Sequence, residues 1–275
     1  MTGVAAAAAL AIGLSLAALA QHGTATPPAS ASEAKSDPTL PPVSRDCQAG
    51  SAQATASAPL PNVAKALRER GKIVILAVGS SPIVRRDSTS GGYYDLVENL
   101  LEQTFKGLQV SIVHRGVPGE MARDAGARIK MEVGLVDPDL VLWQVGTADA
   151  LARLPIEDFE ASVADTLAWL KSHDTDAVLI GLHYVKALTK DAHYQAIRKS
   201  LKKITTDQGV LRISRYEAAE TIARIRSEQG APMSSEKLTE AVYECSAEYL
   251  ARAIAAGLFL KQPKDGAAPA KPAEK

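Results

Sequence analysis

The chain contains the segments Val78-Gly79-Ser80-Ser81 and Val145-Gly146-Thr147-Ala148-Asp149. Each begins with the last residue of a short apolar run, and glycine follows that run directly. The two runs are KIVILAV at 72–78 and DLVLWQV at 139–145. Continuous apolar runs of this length are typical of parallel strands that are covered on both faces. Ligands of open parallel sheets bind outside the carboxyl ends of the strands. We therefore expect Ser81 and the Gly146 loop to face one pocket.

Strand and helix patterns alternate along the rest of the chain. Strands are predicted at 72–78, 108–113, 139–145, 177–182 and 210–213. Helices are predicted at 93–105, 120–133, 156–172, 191–206, 216–229 and 235–258. This alternation predicts an α/β fold of the flavodoxin-like, three-layer α/β/α type, with a five-stranded parallel sheet between two layers of helices. Trp143 and Trp169 are predicted to be core residues.

The loops after the first two strands resemble those of the SGNH, or GDSL-like, hydrolases, a family of esterases, lipases and carbohydrate deacetylases. The resemblance extends over about 60–258. Gly79-Ser80-Ser81 matches the Gly-Asp-Ser block, which puts Ser81 in the nucleophile position and Ser80 in place of aspartate. Arg115-Gly116-Val117-Pro118-Gly119-Glu120 matches the second block. The resemblance implies that the backbone N–H groups of Ser81 and Gly119 are oxyanion donors.

The remaining two family blocks depart from the pattern. Gly146-Thr147-Ala148-Asp149 matches Gly-x-Asn-Asp, so Ala148 replaces the oxyanion asparagine, and Asp149 is expected to cap or pin the loop through backbone N–H groups. In the Asp-x-x-His block before the last helix, Ser234 takes the aspartate position and Lys237 the histidine position. No histidine follows His193, so a small shift of the alignment cannot restore the base.

These replacements bear directly on catalysis. In well-studied proteases, loss of a triad member costs on the order of 10⁴ in rate, and loss of one oxyanion donor costs about 10²–10³. Two residues could supply another base for Ser81: His183, which follows the fourth strand, and Lys237, since a desolvated lysine can activate serine. The alternatives are an ordinary loop histidine and a solvated lysine. His114, at the end of the second strand, is either a ligand contact or a structural hydrogen-bonding residue.

Composition excludes several function classes. The 31 basic and 31 acidic residues balance, so nothing indicates a nucleic-acid partner. No cluster of His, Cys, Asp or Glu has the spacing of metal ligands, and the sequence predicts neither a metal nor a cofactor. About 200 patterned residues are enough for one domain, at 61–260.

The two ends of the chain differ from this domain. Residues 5–20 are apolar and end in an A-x-A pattern, which predicts a signal peptide at 1–20 and a periplasmic or secreted protein, although a charged n-region is absent. An uncleaved membrane anchor is the alternative, with membrane contact only in that case. Residues 21–60, rich in Ala, Ser, Thr and Pro, are predicted to be a linker, and 261–275 a disordered tail.

The chain has two cysteines, Cys47 and Cys245. In an oxidising compartment a single pair commonly forms a disulfide, which here would join the start of the domain to its last helix. The alternative is two free thiols. Their spacing excludes a C-x-x-C motif.

Two functions follow from the resemblance. One is an exported serine hydrolase that acts on small esters, lipids or acetylated glycans, with Ser81 as nucleophile and a nonstandard base such as His183. The other is a non-catalytic envelope protein that uses the retained pocket to bind a glycan, lipid or protein. A third reading is that only the doubly wound architecture is shared. The substrate and the oligomeric state are not predicted.

Overall fold

The computed structural model describes residues 40–48, 50, 55–79 and 93–260. Its strands are β1 Thr55–Ala56, β2 Lys72–Gly79, β3 Gln109–Gly116, β4 Leu140–Gln144, β5 Asp176–Ile180 and β6 Leu211–Ile213. Its helices are α1 Pro61–Arg70, α2 Tyr93–Thr104, α3 Ala122–Val136, α4 Thr147–Leu151, α5 Ile156–Ser172, α6 Ala192–Gln208, α7 Arg215–Glu228 and α8 Ser235–Gly257, with a 3-10 turn at Lys186–Leu188. The predicted signal peptide, the tail and most of the linker lie outside the described residues.

The strands form one sheet in the order β1-β6-β5-β4-β2-β3. Strands β2 to β6 are parallel, and the two-residue β1 pairs antiparallel with β6. The predicted five-stranded parallel sheet is confirmed, and β1 extends it at one edge. Because the strands are parallel, the carboxyl ends of β2 to β6 lie at the same edge of the sheet.

Helices cover both faces of the sheet, as the three-layer prediction required. Alternate residues of β2 point to opposite cores: Ile75 packs in the cluster formed with α1, α2, α7 and α8, and Leu76 packs in the cluster formed with α3, α5 and α6. Trp143 is fully buried in the second cluster, and Trp169 packs against it. Since both faces are covered, β4 (LVLWQ) is buried along its whole length.

The amino-terminal ends of the strands are held by two aspartates. Asp176, the first residue of β5, accepts hydrogen bonds from the backbone N–H groups of Asn62 and Val63 at 2.9 and 3.0 Å. These two N–H groups belong to the first turn of α1, whose own N-cap residue provides no side-chain cap. Asp139 accepts a hydrogen bond from the N–H of Val74 at 2.9 Å. These hydrogen bonds stabilise the amino-terminal edge of the sheet, which lies opposite the candidate site.

A disulfide joins Cys47 to Cys245. The segment around Cys47 also contacts α8 through polar groups: the Ser44 N–H donates to Glu248 at 2.7 Å, and the Tyr249 hydroxyl donates to the Cys47 carbonyl. The structure thus contains the disulfide that the sequence predicted.

In the part of the chain that the structure describes, every helix is too short or too polar to cross a membrane.

Candidate ligand site at the strand ends

Three glycines shape the carboxyl edge of the sheet. Gly79 pairs with Gly116 across β2 and β3. A Cβ atom on Gly79 would lie 2.5 Å from Cβ of Gln144, and the backbone φ of Gly79 is +150°. Glycine therefore lets the end of β2 approach the end of β4. The predicted nucleophile Ser81 and its neighbour Ser80 come directly after Gly79 and lie outside the described residues.

The loop after β3 carries the predicted oxyanion donor Gly119. Its φ is +72°, and the side chains around it leave open space. The Val117 N–H donates to the Gly79 carbonyl at 3.0 Å, which fixes the start of the loop against the end of β2. Glu120 closes the loop through an ion pair with Arg128.

The loop after β4 begins with Gly146, at φ +99°. It continues directly into α4, where the Thr147 hydroxyl accepts a hydrogen bond from the His183 N–H at 3.1 Å. Asp149 is fully buried and accepts from the Ala122 N–H at 2.8 Å, so it caps α3. Burial raises the pKa of this carboxyl. Ala148 offers no side-chain donor at the asparagine position of the family.

A cavity of about 890 Å³ opens at this edge of the sheet. Strands β4, β5 and β6 end at its floor, and α7 and α8 form its walls. The described residues that line it include four buried or partly buried polar ones at the strand ends and helix surfaces, namely Gln144, His183, Arg215 and Ser246, and an apolar wall formed by Ala219, Ala223, Met233, Leu238 and Val242.

Of the predicted site residues that the structure describes, His183 lines this cavity. Its carbonyl accepts a hydrogen bond from the Tyr194 hydroxyl at 2.7 Å, so its backbone is held on both sides. Its Nε2 atom lies 3.4 Å from Nη1 of Arg215. The charge of Arg215, together with burial, lowers the pKa of His183 to about 3. The imidazole is therefore neutral at physiological pH.

Arg215 is the first residue of α7 and is only 6% exposed. Its Nε and Nη2 atoms both donate to the Gly181 carbonyl, at 3.0 and 2.8 Å. This pair of bonds places the guanidinium beside His183 and at the cavity wall. Burial lowers the pKa of the guanidinium from its usual value.

Gln144 and two tyrosines form a second polar group here. The Gln144 amide donates to the Tyr94 hydroxyl at 3.2 Å. The Tyr93 hydroxyl donates to the Ser246 carbonyl at 3.4 Å. The side-chain amide oxygen of Gln144 (Oε1) is buried and has no hydrogen-bond partner among the described residues. His114 makes an edge contact with the Tyr94 ring and does not appear in the cavity lining, and burial lowers its pKa.

The residues at the family's Asp-x-x-His positions occupy the start of α8. The Ser234 hydroxyl accepts from the Lys237 N–H at 3.3 Å, so Ser234 is the helix cap. Lys237 is exposed, whereas its helix neighbour Leu238 lines the cavity. Lys237 itself is not among the residues that line the cavity.

Gln144 and Arg215 were not predicted to be site residues, although their positions in the sequence indicate it. Gln144 is a polar residue at the end of an otherwise apolar strand, and Arg215 follows the last predicted strand by two residues. Both positions satisfy the rule that ligands bind beyond the carboxyl ends of parallel strands.

The model of the Non-GDSL lipase-like family matches residues 46–259. Among solved structures, a candidate GDSL-like lipase from Parabacteroides merdae is 18% identical, with 67% of this chain and 96% of that chain covered and a TM-score of 0.53. A candidate lipolytic protein of the G-D-S-L family from Desulfitobacterium hafniense is 16% identical, with 66% and 99% covered and a TM-score of 0.50. The acetylxylan esterase Axe2 from Geobacillus stearothermophilus is 18% identical, with 69% and 95% covered and a TM-score of 0.51. A search of the curated proteins found no match.

These matches confirm the resemblance to SGNH/GDSL-like hydrolases and the three-layer fold.

Proposed function

Because the chain belongs to the Non-GDSL lipase-like family, we propose that it is a cell-envelope protein that binds a small molecule, lipid or glycan in this cavity and has little or no ester-hydrolase activity. The SGNH/GDSL-like relationship makes serine esterase chemistry the alternative.

The contact between His183 and Arg215 carries this proposal. A general base works best when its pKa lies near the working pH. With a pKa of about 3, His183 is a much weaker proton acceptor than an ordinary imidazole. The positive charge beside Nε2 also opposes the imidazolium that would form when serine is deprotonated. His183 is therefore poorly suited to activate Ser81.

The other replacements support the same conclusion. Lys237 does not line the cavity, and Ala148 cannot donate the hydrogen bond that the family's asparagine provides. A serine hydroxyl without a base is a poor nucleophile, and the loss of a triad member costs on the order of 10⁴ in rate.

Export is supported by two separate features. The apolar segment at 5–20 ends in an A-x-A pattern. The chain also contains the Cys47–Cys245 disulfide, and disulfides form and persist in oxidising compartments.

The proposal is tested by labelling the purified protein with a fluorophosphonate and by hydrolysis of p-nitrophenyl acetate. We compare the wild type with Ser81→Ala, with Ser80→Ala as the matched control because it removes the adjacent hydroxyl. We expect no labelling of any of the three proteins and turnover equal to the buffer rate. Labelling and turnover in the wild type and Ser80→Ala that vanish in Ser81→Ala would contradict the proposal and establish a serine hydrolase.

A further inference from the structure

Arg215 is a buried cation without a matching anion. The residue is only 6% exposed, and among the described residues no carboxylate forms an ion pair with it. Its hydrogen-bond partners are the Gly181 carbonyl and the His183 ring, both uncharged. A buried charge of this kind costs several kcal/mol unless it is paired. An anion bound in the cavity would offset that cost.

The guanidinium of Arg215 has N–H groups that the described contacts do not use. Arginine has five N–H groups in a planar fork, and the described contacts account for three of them. Arg215 lines the cavity, so the remaining donors can reach a ligand there. A planar fork of donors matches the two oxygens of a carboxylate.

The charges around the cavity also favour an anion. The lining contains three cationic side chains, Arg215, Lys186 and Arg224, and one carboxylate, Glu220. The formal lining charge is thus three positive minus one negative, or +2. Lys186 and Arg224 are exposed, so they favour the approach of an anion, although Arg224 also pairs with Glu228 at 2.9 Å and the exposed Glu220 opposes it. The buried Arg215 is the cation that would contact the anion inside the cavity.

Another part of the lining is apolar. It consists of Ala219 and Ala223 from α7, Leu238 and Val242 from α8, and Met233 from the segment between the two helices. A ligand that satisfies both parts of the lining carries an anionic group and an apolar body.

We propose that the cavity binds a carboxylate attached to an apolar chain, with the carboxylate on Arg215 and the chain against the wall formed by α7 and α8. This inference rests on the proposed function in that the cavity is used to bind a ligand without cleaving it.

The proposal is tested by calorimetric titration of the full-length protein with octanoate and with 1-octanol, which has the same chain length and no charge. We expect octanoate to bind at least about tenfold more tightly, the difference expected from one charge-assisted hydrogen bond. Equal affinities, or no octanoate binding at millimolar concentration, would overturn the proposal. This comparison uses the wild type alone and does not depend on the folding of a variant.

Arg215→Lys then tests the anchor, because it keeps the charge and loses the planar fork. We expect octanoate affinity to fall about tenfold and 1-octanol affinity to stay the same. Arg226→Gln is the matched control: Arg226 lies on the same helix, pairs with Asp46 and is not in the lining. Unchanged octanoate affinity in folded Arg215→Lys would overturn the role of Arg215.

The same titrations on Ser81→Ala separate the two proposals. If the wild type hydrolyses esters, the proposed function fails. The difference in binding affinity between octanoate and 1-octanol, measured on Ser81→Ala, still tests whether the cavity binds a carboxylate.

Discussion

Gly146 occupies a backbone conformation that side chains rarely adopt. Its φ is +99°, and an added Cβ would lie 2.7 Å from Cδ1 of Leu182. We expect Gly146→Ala to lower the free energy of unfolding by about 1–3 kcal/mol, because it combines backbone strain with a clash in the core. Chemical denaturation followed by circular dichroism measures the change.

Gly134→Ala is the matched control for that substitution. Gly134 lies in helix α3 with open space around it. Alanine is favoured over glycine inside helices by roughly 0.5–1 kcal/mol. We therefore expect unchanged or slightly higher stability. Equal losses in both variants would show that the conformation of Gly146 is not the cause.

At single positions, the glycines of the strand ends were predictable from the sequence, whereas the contacts between polar side chains were not. Gly79 and Gly146 follow recognisable strands, and the turns require them. The lowered pKa of His183 depends on Arg215, which is 32 residues away in the chain. Such a contact is produced by the pairing of β5 with β6 and has no local signature in the sequence.

At the level of elements, one aspartate connects the start of β5 to the start of α1. Asp176 accepts three hydrogen bonds, from the backbone of Asn62 and Val63 and from the Asn62 amide. Burial nevertheless raises its pKa from 3.8 to about 6. The folded protein therefore holds a proton between pH 4 and 6 that the unfolded chain releases.

The sign of the pH dependence follows from this shift. The contribution of Asp176 to stability is greatest below about pH 4, falls as the pH rises to about 6, and is constant above. Each pKa unit corresponds to about 1.4 kcal/mol, so the change is on the order of 3 kcal/mol. We expect Asp176→Asn to remove this step from the unfolding free energy measured between pH 4 and 7.5.

Asp207→Asn is the control for this measurement. Asp207 is an exposed aspartate that pairs with Lys203 in α6. We expect it to keep the wild-type pH profile. If the unfolding free energy of Asp176→Asn changes with pH in the same way as that of the wild type, the pH dependence does not come from Asp176.

The elements themselves were largely predictable. Five strands and six helices follow from apolar runs and helical spacing, with bounds close to those observed. Two helices were not predicted. Helix α1 is short and follows a Pro- and Ala-rich stretch, and its burial depends on β2 and β5, whereas α4 has five residues and is too short to show a helical pattern. The two-residue β1 is formed only by pairing with β6 and has no pattern of its own.

For the whole molecule, the disulfide is the covalent tie between distant parts of the chain. It joins residues 198 positions apart. In the chain-entropy model, a loop of this length contributes about 5 kcal/mol. We expect the double variant Cys47→Ala/Cys245→Ala to lose up to about 5 kcal/mol of unfolding free energy, measured by chemical denaturation.

Reduction provides the internal control. Dithiothreitol should destabilise the wild type by a similar amount and leave the double variant unchanged. Identical wild-type transitions with and without reductant would show that the bond contributes nothing.

The position of the two cysteines also sets an order of assembly. Cys47 cannot meet its partner until the chain has been synthesised as far as α8, so the disulfide can form only after every strand of the sheet has been synthesised. Because the chain contains two cysteines, intramolecular oxidation has a single product and needs no reshuffling. Once formed, the bond holds α8, which lines the cavity, to the segment around Cys47.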